Sequence, residues 1–427
     1  MNRSRRRAPG LGAAALAVAL AGPALADDLT PVERAIVAGV DARREAAIDL
    51  LARSVDVPSA TEDHAGVRRV AELYAAELRG LGFEARFVDQ AAVGRAGHLV
   101  AERRGSRGKR LLLIGHLDTV LEGEAFRREG GRAWGSGIAD MKGGNLVAIE
   151  ALRALHAAGA LEGRQVIVVF TGDEEDTGKP YEASRAALLE AARRSDVALA
   201  FEGYEPGTAV VGRRGFSSWR LEVTGSQGHS STIFGEARGD GAIFETARIL
   251  SAFRERLREP TLTFNPSVVL GGTEVVYDPR AFSGTAGGKT NVVPGKAVVA
   301  GDMRFLTREQ LERARATMRA IVAENLPRTT ARIEFEDGMP SMEPTDGNRA
   351  LLAVLDRVSR DLGAGPVEAH DPSKRGAGDV SFVSGLVDAL DGLGALGASE
   401  HAPGESVELE ALPLLAKRAA LLMHRLQ

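Results

Sequence analysis

The chain has 427 residues, of which 44% are hydrophobic and 26% are charged, and its formal net charge is −4. This length suffices for two compact domains, and the composition excludes the fibrous, disordered and multi-span membrane classes. The sequence contains no cysteine, which excludes disulfides, a lipoprotein anchor, cysteine-based zinc fingers and thiol catalysis. Any metal site must therefore use His, Asp and Glu.

The segment 1–26 predicts an export signal. A basic start, MNRSRRRAPG, precedes the apolar run LGAAALAVALAG, and Ala-Leu-Ala at 24–26 matches a small-residue cleavage site. The run is too short to span a bilayer, so we expect an exported protein, periplasmic or secreted, without a stable membrane anchor. The arginine pair fits a twin-arginine signal as well as an ordinary signal with a strongly positive start. Cleavage removes four arginines and no acid, which changes the formal charge from −4 to −8 and argues against nucleic-acid binding.

Residues 27–213 alternate between strand and helix patterns. Apolar runs such as KRLLLIGHLDTV and QVIVVFTG are typical of strands buried inside a sheet. The predicted strands are 82–90, 97–105, 109–120, 165–172 and 196–203, and the predicted helices are 33–53, 64–80, 145–159 and 182–194. This alternation predicts an α/β domain with a mostly parallel, helix-covered sheet.

Residues 214–337 follow a different order. The predicted strands are 216–226, 263–272, 295–306 and 330–336, and the predicted helices are 240–258 and 307–325. The resulting β-α-β-β-α-β order is that of a ferredoxin-like α+β unit. Residues 338–427 return to helices over 346–363 and 408–426, so we expect one domain built from 27–213 and 338–427, with 214–337 inserted.

The residues best suited to chemistry follow the predicted strands or lie in glycine-rich loops. They are His116 and Asp118 in G-H-L-D, Asp140 in G-S-G-I-A-D-M-K-G-G, Glu174 and Glu175 in T-G-D-E-E-D-T-G, Glu202 in F-E, and His401 in A-S-E-H-A-P-G-E. Loops at the carboxyl ends of parallel strands converge on one crevice. We therefore expect these side chains to lie close together.

Such a set suits a pair of metal ions. Zinc binds His nitrogen and carboxylate oxygen, and two ions that share a bridging carboxylate lie about 3.5–4 Å apart. Their positive charge would offset the repulsion among the adjacent acids of T-G-D-E-E-D-T-G. An acidic run of this kind is otherwise a solvated loop, and that interpretation stays open for Asp173 and Asp176.

The motifs G-H-L-D-T-V, G-I-A-D-M-K-G-G, T-G-D-E-E-D-T-G, F-E and S-E-H, in this order, resemble those of one di-zinc metallopeptidase family. That family includes glutamate carboxypeptidase, aminoacylase, carnosinase-like dipeptidases and succinyl-diaminopimelate desuccinylase. The resemblance extends over essentially the whole mature chain. It implies a zinc-dependent exopeptidase-type α/β catalytic domain with an inserted ferredoxin-like lid and dimerisation domain, and hence a homodimer.

The resemblance also implies two Zn²⁺ ions per chain, with Co²⁺ or Mn²⁺ as alternatives. His116, Asp140 and Glu202 would bind one ion, and Asp140, Glu175 and His401 would bind the other. Asp140 would bridge the two ions, and in the family the peptide bond that follows it is typically cis.

Three further roles follow from the same motifs. Asp118 would accept a hydrogen bond from His116 and fix the tautomer of its ring. Glu174 would be the general base, which takes a proton from the attacking water and returns it to the leaving amine. His229, in G-S-Q-G-H-S-S, would reach the partner subunit's active site and stabilise the oxyanion there.

The inserted segment supplies two candidate substrate-binding residues. Asn291, in T-N-V-V-P, matches a substrate-contacting asparagine of the family, and Arg304 lies in G-D-M-R. Their alternative interpretations are that Asn291 caps a turn and that Arg304 pairs with an acid inside the insert.

One departure from the family concerns the substrate carboxylate. Glutamate-releasing relatives carry an arginine between Gly and Pro after the insert, whereas this chain has Met339 in D-G-M-P. Another cation would then have to bind the carboxylate, or the substrate would lack one. The candidate cations are Arg213, Arg304, Lys374 and Arg375.

The resulting hypothesis is an exported di-zinc metallohydrolase that cleaves an amide bond and releases a C-terminal amino acid, as a glutamate carboxypeptidase does. Its substrate would be a small peptide or an N-acyl amino acid. An N-acyl-amino-acid deacylase or a dipeptidase with the same site is the first alternative. A non-catalytic metal- or peptide-binding homologue and a two-metal nuclease or phosphatase are more remote. If the lid closes, the turns at 213–216 and 336–340 are the predicted hinges.

Overall fold

The computed structural model describes residues 29–121 and 123–426. The export signal predicted over 1–26 lies outside these residues. Among the helices of the described segments, none combines the length and the apolar character needed to cross a membrane.

The helices of the described residues agree with most of the predicted ones. They are α1 (Pro31–Asp41), α2 (Arg44–Val55), α3 (His64–Arg79), α4 (Gly143–Ala157), α5 (Tyr181–Ser184), α6 (Ala186–Arg193), α7 (Gly241–Arg256), α8 (Arg308–Ala323), α9 (Asp346–Asp361), α10 (Asp379–Val383) and α11 (Leu412–Arg425). The single helix predicted over 33–53 is wrong, because the chain turns at residues 42–43. That turn lets both α1 and α2 pack apolar side chains against α4.

The strands are mostly short outside the two main sheets. They are β1 (Glu84–Gln90), β2 (Arg95–Arg103), β3 (Arg107–His116), β4 (Arg127–Glu129), β5 (Arg132–Trp134), β6 (Arg164–Thr171), β7 (Val197–Ala200), β8 (Thr208–Ala209), β9 (Gly215–Gly225), β10 (Gly228–His229), β11 (Thr263–Gly272), β12 (Glu274–Asp278), β13 (Ser283–Gly287), β14 (Val292–Val293), β15 (Lys296–Phe305), β16 (Thr329–Asp337), β17 (Glu368–Ala369), β18 (Asp388–Leu390), β19 (Gly397–Ala398) and β20 (Ser406–Glu408). The closing helix begins at 412 and not at the predicted 408, because residues 406–408 pair with β5.

The main sheet has the order β1-β2-β6-β3-β7-β18. Strands β6, β3, β7 and β18 are parallel to one another, as predicted, whereas β1 and β2 are antiparallel to their neighbours. A single 3₁₀ turn, Ala91–Val93, which ends at Gly94 with φ of 70°, joins β1 to β2. This connection is too short for the crossover that a parallel pair requires. The predicted α/β class is confirmed, with an antiparallel pair at one edge.

The side chains of the central strands alternate between two hydrophobic clusters. Leu111 and Leu113 of β3 belong to the cluster packed on α1, α3, α4 and α11, whereas Leu112 and Ile114 belong to the cluster on α6 and α10. Because successive strand residues point to opposite faces, a continuous apolar run buries both faces of the sheet.

Residues 215–337 form a second sheet with its own hydrophobic core. Its strands are antiparallel in the order β11-β15-β9-β16, which is the ferredoxin-like order expected from the sequence. Trp219, Leu221 and Val223 of β9 pack against helices α7 and α8. The hairpin β12–β13 was not predicted. The domain boundaries at 213/214 and 337/338 stay predictions, and at this junction the backbones of Arg213 and Met342 pair.

Candidate metal and active site

Three of the predicted site segments follow neighbouring parallel strands. His116 is the last residue of β3, Glu174 and Glu175 lie just beyond β6, and Glu202 lies just beyond β7. Strands β6, β3 and β7 are adjacent and parallel. Their carboxyl ends therefore deliver these four side chains to one edge of the sheet.

Asp140 and His401 reach the same edge from loops. Asp140 lies in the turn before α4, and its peptide bond to Met141 is cis. Gly144, in the first turn of α4, lies so close to the carbonyl of Phe201 that a Cβ there would be 2.0 Å from the oxygen. Only glycine permits this approach, which brings the Asp140 turn next to the end of β7. His401 lies in the loop between β19 and β20.

The carboxylate of Asp140 lies between two histidines. Its Oδ1 is 2.9 Å from Nε2 of His116, and its Oδ2 is 3.0 Å from Nε2 of His401. Nε2 of His116 is 3.8 Å from Oε1 of Glu202, and Nε2 of His401 is 3.2 Å from Oε2 of Glu175. Among the described residues, three groups of ligand atoms lie within 4.8 Å of one another, and two of them share Asp140: His116, Asp140 and Glu202, and Asp140, Glu175 and His401. The third group is His116, Glu174 and Glu175. One oxygen of Asp140 thus faces each histidine.

Burial and mutual repulsion disfavour the charged forms of Glu175 and Glu202. Burial, followed by the negative charges of Asp140 and Glu174, raises the pKa of Glu175 to about 8. Burial and the charge of Asp140 also raise the pKa of Glu202 to about 8. Oε1 of Glu175 is buried without a hydrogen-bond partner in the described part of the chain. Divalent cations would supply both a compensating positive charge and the missing partner, and the donor set is one that zinc prefers, so the residues present fit a pair of metal ions.

The pKa shifts of the two histidines and of Asp140 favour their charged forms, whereas those of Glu175 and Glu202 favour the neutral forms. Burial opposes the charged form of Asp140, but hydrogen bonds with His116 and His401 hold its pKa below the usual value. Burial also opposes the charged form of His116, whose pKa is nevertheless raised well above the usual value by Asp118 and Asp140. The hydrogen bond with Asp140 raises the pKa of His401 to about 9. Metal binding would therefore displace protons from this site.

Glu174 lies beside these ligand groups. One of its carboxylate oxygens is within 4.8 Å of ligand atoms of His116 and Glu175. Burial, followed by the negative charge of Glu202, raises the pKa of Glu174 well above its usual value. Its carboxylate makes no hydrogen bond to another described residue, so it is free to exchange a proton with a bound molecule.

Asp118 supports the site in a way that differs from the prediction. The nearest acceptor for Nδ1 of His116 is the backbone carbonyl of Asp118, at 2.9 Å, while Oδ1 of Asp118 is 3.5 Å away. The carboxylate accepts instead from the backbone N–H groups of Glu174 and Glu175, at 3.1 Å each, and from the hydroxyl of Thr61 at 2.8 Å. Asp118 therefore orients His116 through its backbone carbonyl and the paired glutamates through its carboxylate.

The sequence interpretation missed Glu405. Its carboxylate accepts the backbone N–H groups of Gly137 and Ala139 at 2.7 Å each and that of Asp140 at 2.9 Å. Glu405 therefore fixes the turn that presents Asp140. The available signal was weak: an acid four residues after His401 in the same glycine-rich loop.

A buried ion network lies beneath the paired glutamates. Arg185, which is fully buried, donates from Nη1 to Asp173 at 2.6 Å and from Nε to Asp379 at 2.7 Å. The solvated-loop interpretation is therefore wrong for Asp173. It fits Asp176, which is exposed and pairs with Arg95. Nothing in the local sequence marks Arg185, because Asp379 is distant in the chain and Asp173 belongs to an acidic run of a kind typical of the surface.

In the described structure, the three predicted residues of the insert form their hydrogen bonds and ion pairs within the insert and not with the predicted metal ligands. His229 and Asn291 are exposed neighbours, since β10 pairs with β14 and the N–H of Ser230 donates to the carbonyl of Asn291 at 2.8 Å. Arg304 pairs with Asp302 at 3.0 Å inside the insert. The described structure shows none of the three bonded to a predicted metal ligand, so their roles stay predictions.

An α/β sheet whose edge holds two histidine–carboxylate groups around a shared aspartate, beside an unbonded glutamate, defines a metal-dependent hydrolase. The chain belongs to peptidase family M20/M25/M40, whose profile matches residues 112–425. The protein is thus a metallopeptidase or amidohydrolase that acts on amide bonds.

Individual relatives agree with this assignment. The chain is 27% identical over 388 residues to carboxypeptidase G2 of Pseudomonas sp. strain RS-16, with 88% of each chain covered. Its fold is similar to that of aminopeptidase PepT from Bacillus cereus, with a TM-score of 0.70 and 19% identity over 90% of this chain and 98% of that one. It is also similar to the YXEP protein of Bacillus subtilis, a dinuclear metal binding peptidase of the M20 family, with a TM-score of 0.62, 17% identity and coverages of 90% and 98%.

Proposed function

We propose that this protein is an exported di-zinc carboxypeptidase, which hydrolyses an amide bond and releases a C-terminal amino acid. The observation that carries the proposal is the position of Asp140, whose two oxygens face His116 and His401 separately. The similarity to carboxypeptidase G2 supports the carboxypeptidase class. The segment 1–26, with its basic, apolar and small-residue regions, supports export.

The chain offers three ligands to each ion. His116, Asp140 and Glu202 would hold one zinc ion, and Asp140, Glu175 and His401 would hold the other. Zinc in such a site polarises the amide carbonyl and lowers the pKa of a water molecule. Glu405 and Asp118 keep the ligands in place through the backbone hydrogen bonds described above.

Glu174 is the general base. It lies beside the ligand groups, its carboxylate is unbonded, and burial raises its pKa. A carboxylate with a raised pKa can take a proton from the attacking water and pass it to the nitrogen of the leaving amine. The hydrogen bond from its backbone N–H to Asp118 fixes the position from which it acts.

His229 and Asn291 serve the active site of a partner subunit in a homodimer. The ring of His229 is exposed and bonds only to Ser231 among the described residues, so its Nε2 is available to the oxyanion. Exposed apolar side chains on the insert support dimerisation there: Ile243 and Phe244 on α7 and Val269 on the edge strand β11.

An N-acyl-amino-acid deacylase or a dipeptidase with the same site is the second candidate. It is favoured by Met339, which stands where the resemblance leads us to expect an arginine. Met339 lines a cavity of about 540 Å³ together with Phe216 and Phe382, and no predicted metal ligand lines that cavity.

The test is a release assay on the purified mature protein reconstituted with zinc. Acyl-glutamates, other N-acyl amino acids and dipeptides are supplied, and free amino acids are measured. We expect release of the C-terminal amino acid, and a loss of roughly 100- to 10,000-fold in turnover for Glu174→Gln, with zinc content unchanged. An absence of release from every substrate, with two zinc ions bound, would contradict the proposed function.

A further inference from the structure

The four cations that could bind a substrate carboxylate differ in how they are held. Arg213 is buried, and its guanidinium donates from Nη1 to Asp391 at 2.6 Å and from Nε to the carbonyl of Gly376 at 2.7 Å. Because Nε and Nη1 are already bound and the positive charge is paired with Asp391, we treat Arg213 as a structural cation.

Two of the other cations are also poorly placed. Arg304 pairs with Asp302 at 3.0 Å and lies over the ring of Phe216, with 5.0 Å between its Cζ and the ring centroid. Lys374 is exposed at the end of a short turn, and its flexible ammonium offers no planar fork to a carboxylate. These contacts leave Arg375.

Arg375 lies next to the segment that carries the predicted metal ligand Glu202. Most of the N–H donors of its guanidinium are unused in the described part of the chain. It is half-buried, and its Nη2 donates to the carbonyl of Gly203 at 2.6 Å, one residue after Glu202. In the described part of the chain, no carboxylate lies within 4.0 Å of its guanidinium, and this single hydrogen bond is the only one that its five N–H donors make.

The loop carrying His401 approaches the same point. A Cβ placed on Gly203 would lie 2.7 Å from Oε1 of Glu400 and 3.8 Å from Nη1 of Arg375. Arg375 therefore lies where the Glu202 and His401 segments meet, beside the predicted metal pair.

The backbone of Arg375 is held on both sides. Nη2 of Arg214 donates to the carbonyl of Ser373 at 2.7 Å, and Arg213 donates to that of Gly376. Because the backbone around Arg375 is held and one nitrogen of its guanidinium is already bound, the side chain loses little conformational freedom when it binds a carboxylate.

We infer that Arg375 binds the free carboxylate of the residue released from the substrate, and thereby selects amides of amino acids whose α-carboxylate is free. The inference rests on the proposed function, whose substrates carry that carboxylate. Arg375 would take the place of the arginine expected at Met339. Its planar guanidinium can form two parallel hydrogen bonds with a carboxylate.

The test compares binding of an acid with that of its α-amide. Zinc-loaded Glu174→Gln, which should not turn over substrate, is titrated calorimetrically with the N-acetyl derivative of the amino acid that the wild type releases fastest. If the wild type releases none, N-acetyl-L-glutamate is used. The matching α-amide is titrated in parallel. We expect the acid to bind roughly 10- to 100-fold more tightly than the amide, and this preference to disappear when Arg375→Gln is added.

Three variants complete the test. Lys374→Gln, the matched control, should keep the preference. Arg375→Lys, which is the fallback if Arg375→Gln does not fold, should keep only part of it. Glu400→Gln removes a neighbouring negative charge and should tighten binding of the acid alone. A preference that survives Arg375→Gln, or an acid that binds no better than its amide in the parent, would overturn the inference. Failure of the wild type to release any amino acid would instead refute the proposed function.

Discussion

Oε1 of Glu405 accepts the backbone N–H of Asp140 at 2.9 Å. The same carboxylate accepts two further N–H groups of that turn, so one side chain fixes the backbone that presents the carboxylate of Asp140. Mutation of a group that orients a metal ligand typically weakens metal affinity about 10- to 100-fold.

We therefore expect Glu405→Gln to weaken zinc binding about 10- to 100-fold, because the neutral amide accepts the N–H groups more weakly. Competition with a chromophoric chelator measures the Kd. Glu410→Gln, at an exposed carboxylate of the same chain segment, is the control and should leave the Kd unchanged. An unaltered Kd in Glu405→Gln would show that the turn holds Asp140 without this carboxylate.

Arg185 is expected to matter for stability. Replacing it by Met leaves the carboxylates of Asp173 and Asp379 buried without their cation. Removal of one partner from a buried ion pair costs about 3–5 kcal/mol of unfolding free energy. Urea denaturation of the zinc-loaded protein measures the loss. The matched variant Arg193→Met, at an exposed position of α6, should change stability by no more than about 0.5 kcal/mol. A loss below about 1 kcal/mol in Arg185→Met would contradict the network's role.

His98 should make the free energy of unfolding depend on pH, and its burial determines the direction of that dependence. Burial lowers its pKa below 6.5, and the neutral ring accepts the N–H of Gly172 at Nδ1 while its Nε2 lies 2.7 Å from the carbonyl of Ser184. The unfolded chain therefore binds this proton more readily than the folded one. The stability contributed by the neutral ring is present above pH 6.5 and is lost as the pH falls through the lowered folded pKa.

We accordingly expect the difference in unfolding free energy between the wild type and His98→Gln to shrink as the pH falls from about 7 to about 5. Denaturation with EDTA present measures this difference without a contribution from zinc release. A difference that stays constant, or grows, over this range would show that His98 is not buried in its neutral form.

In the proposed homodimer, His229 is expected to act in the active site of the partner subunit. His229→Ala should lower kcat by roughly 100- to 1,000-fold, which is the cost of losing one oxyanion donor. Mixing His229→Ala with Glu174→Ala, followed by subunit exchange, should restore activity, because each heterodimer then has one site with an intact Glu174 and the partner's histidine. Zinc content and dimer mass are the controls. A mixture as inactive as its components would place His229 outside the partner's site.

The sequence predicted most of the site because the relevant signals are local. Apolar runs marked β3, β6 and β7, and polar residues at their ends marked His116, Glu174 and Glu202, since parallel strands deliver such residues to one edge. The assignment of roles among those residues came from the resemblance, because spacing alone does not distinguish a ligand from a base.

What the sequence did not predict depends on contacts between distant residues. Glu405 and Arg185 owe their roles to partners that only the folded chain brings near. In the hairpin β12–β13, the second strand reads SGTAG and contains two glycines and no large apolar residue, so its strand signal is weak. The break in the helix predicted over 33–53 has no Gly or Pro at residues 42–43, and tertiary packing on α4 overrides the local pattern there.

Anomalous scattering from crystals of the zinc-loaded protein, recorded at the zinc absorption edge, tests the two-metal site most directly. We predict two peaks per chain, one beside His116 and Glu202 and the other beside Glu175 and His401. Each should lie about 2.0–2.2 Å from an oxygen of Asp140. A single peak, or two peaks of which neither is coordinated by Asp140, would contradict the bridged pair of zinc ions.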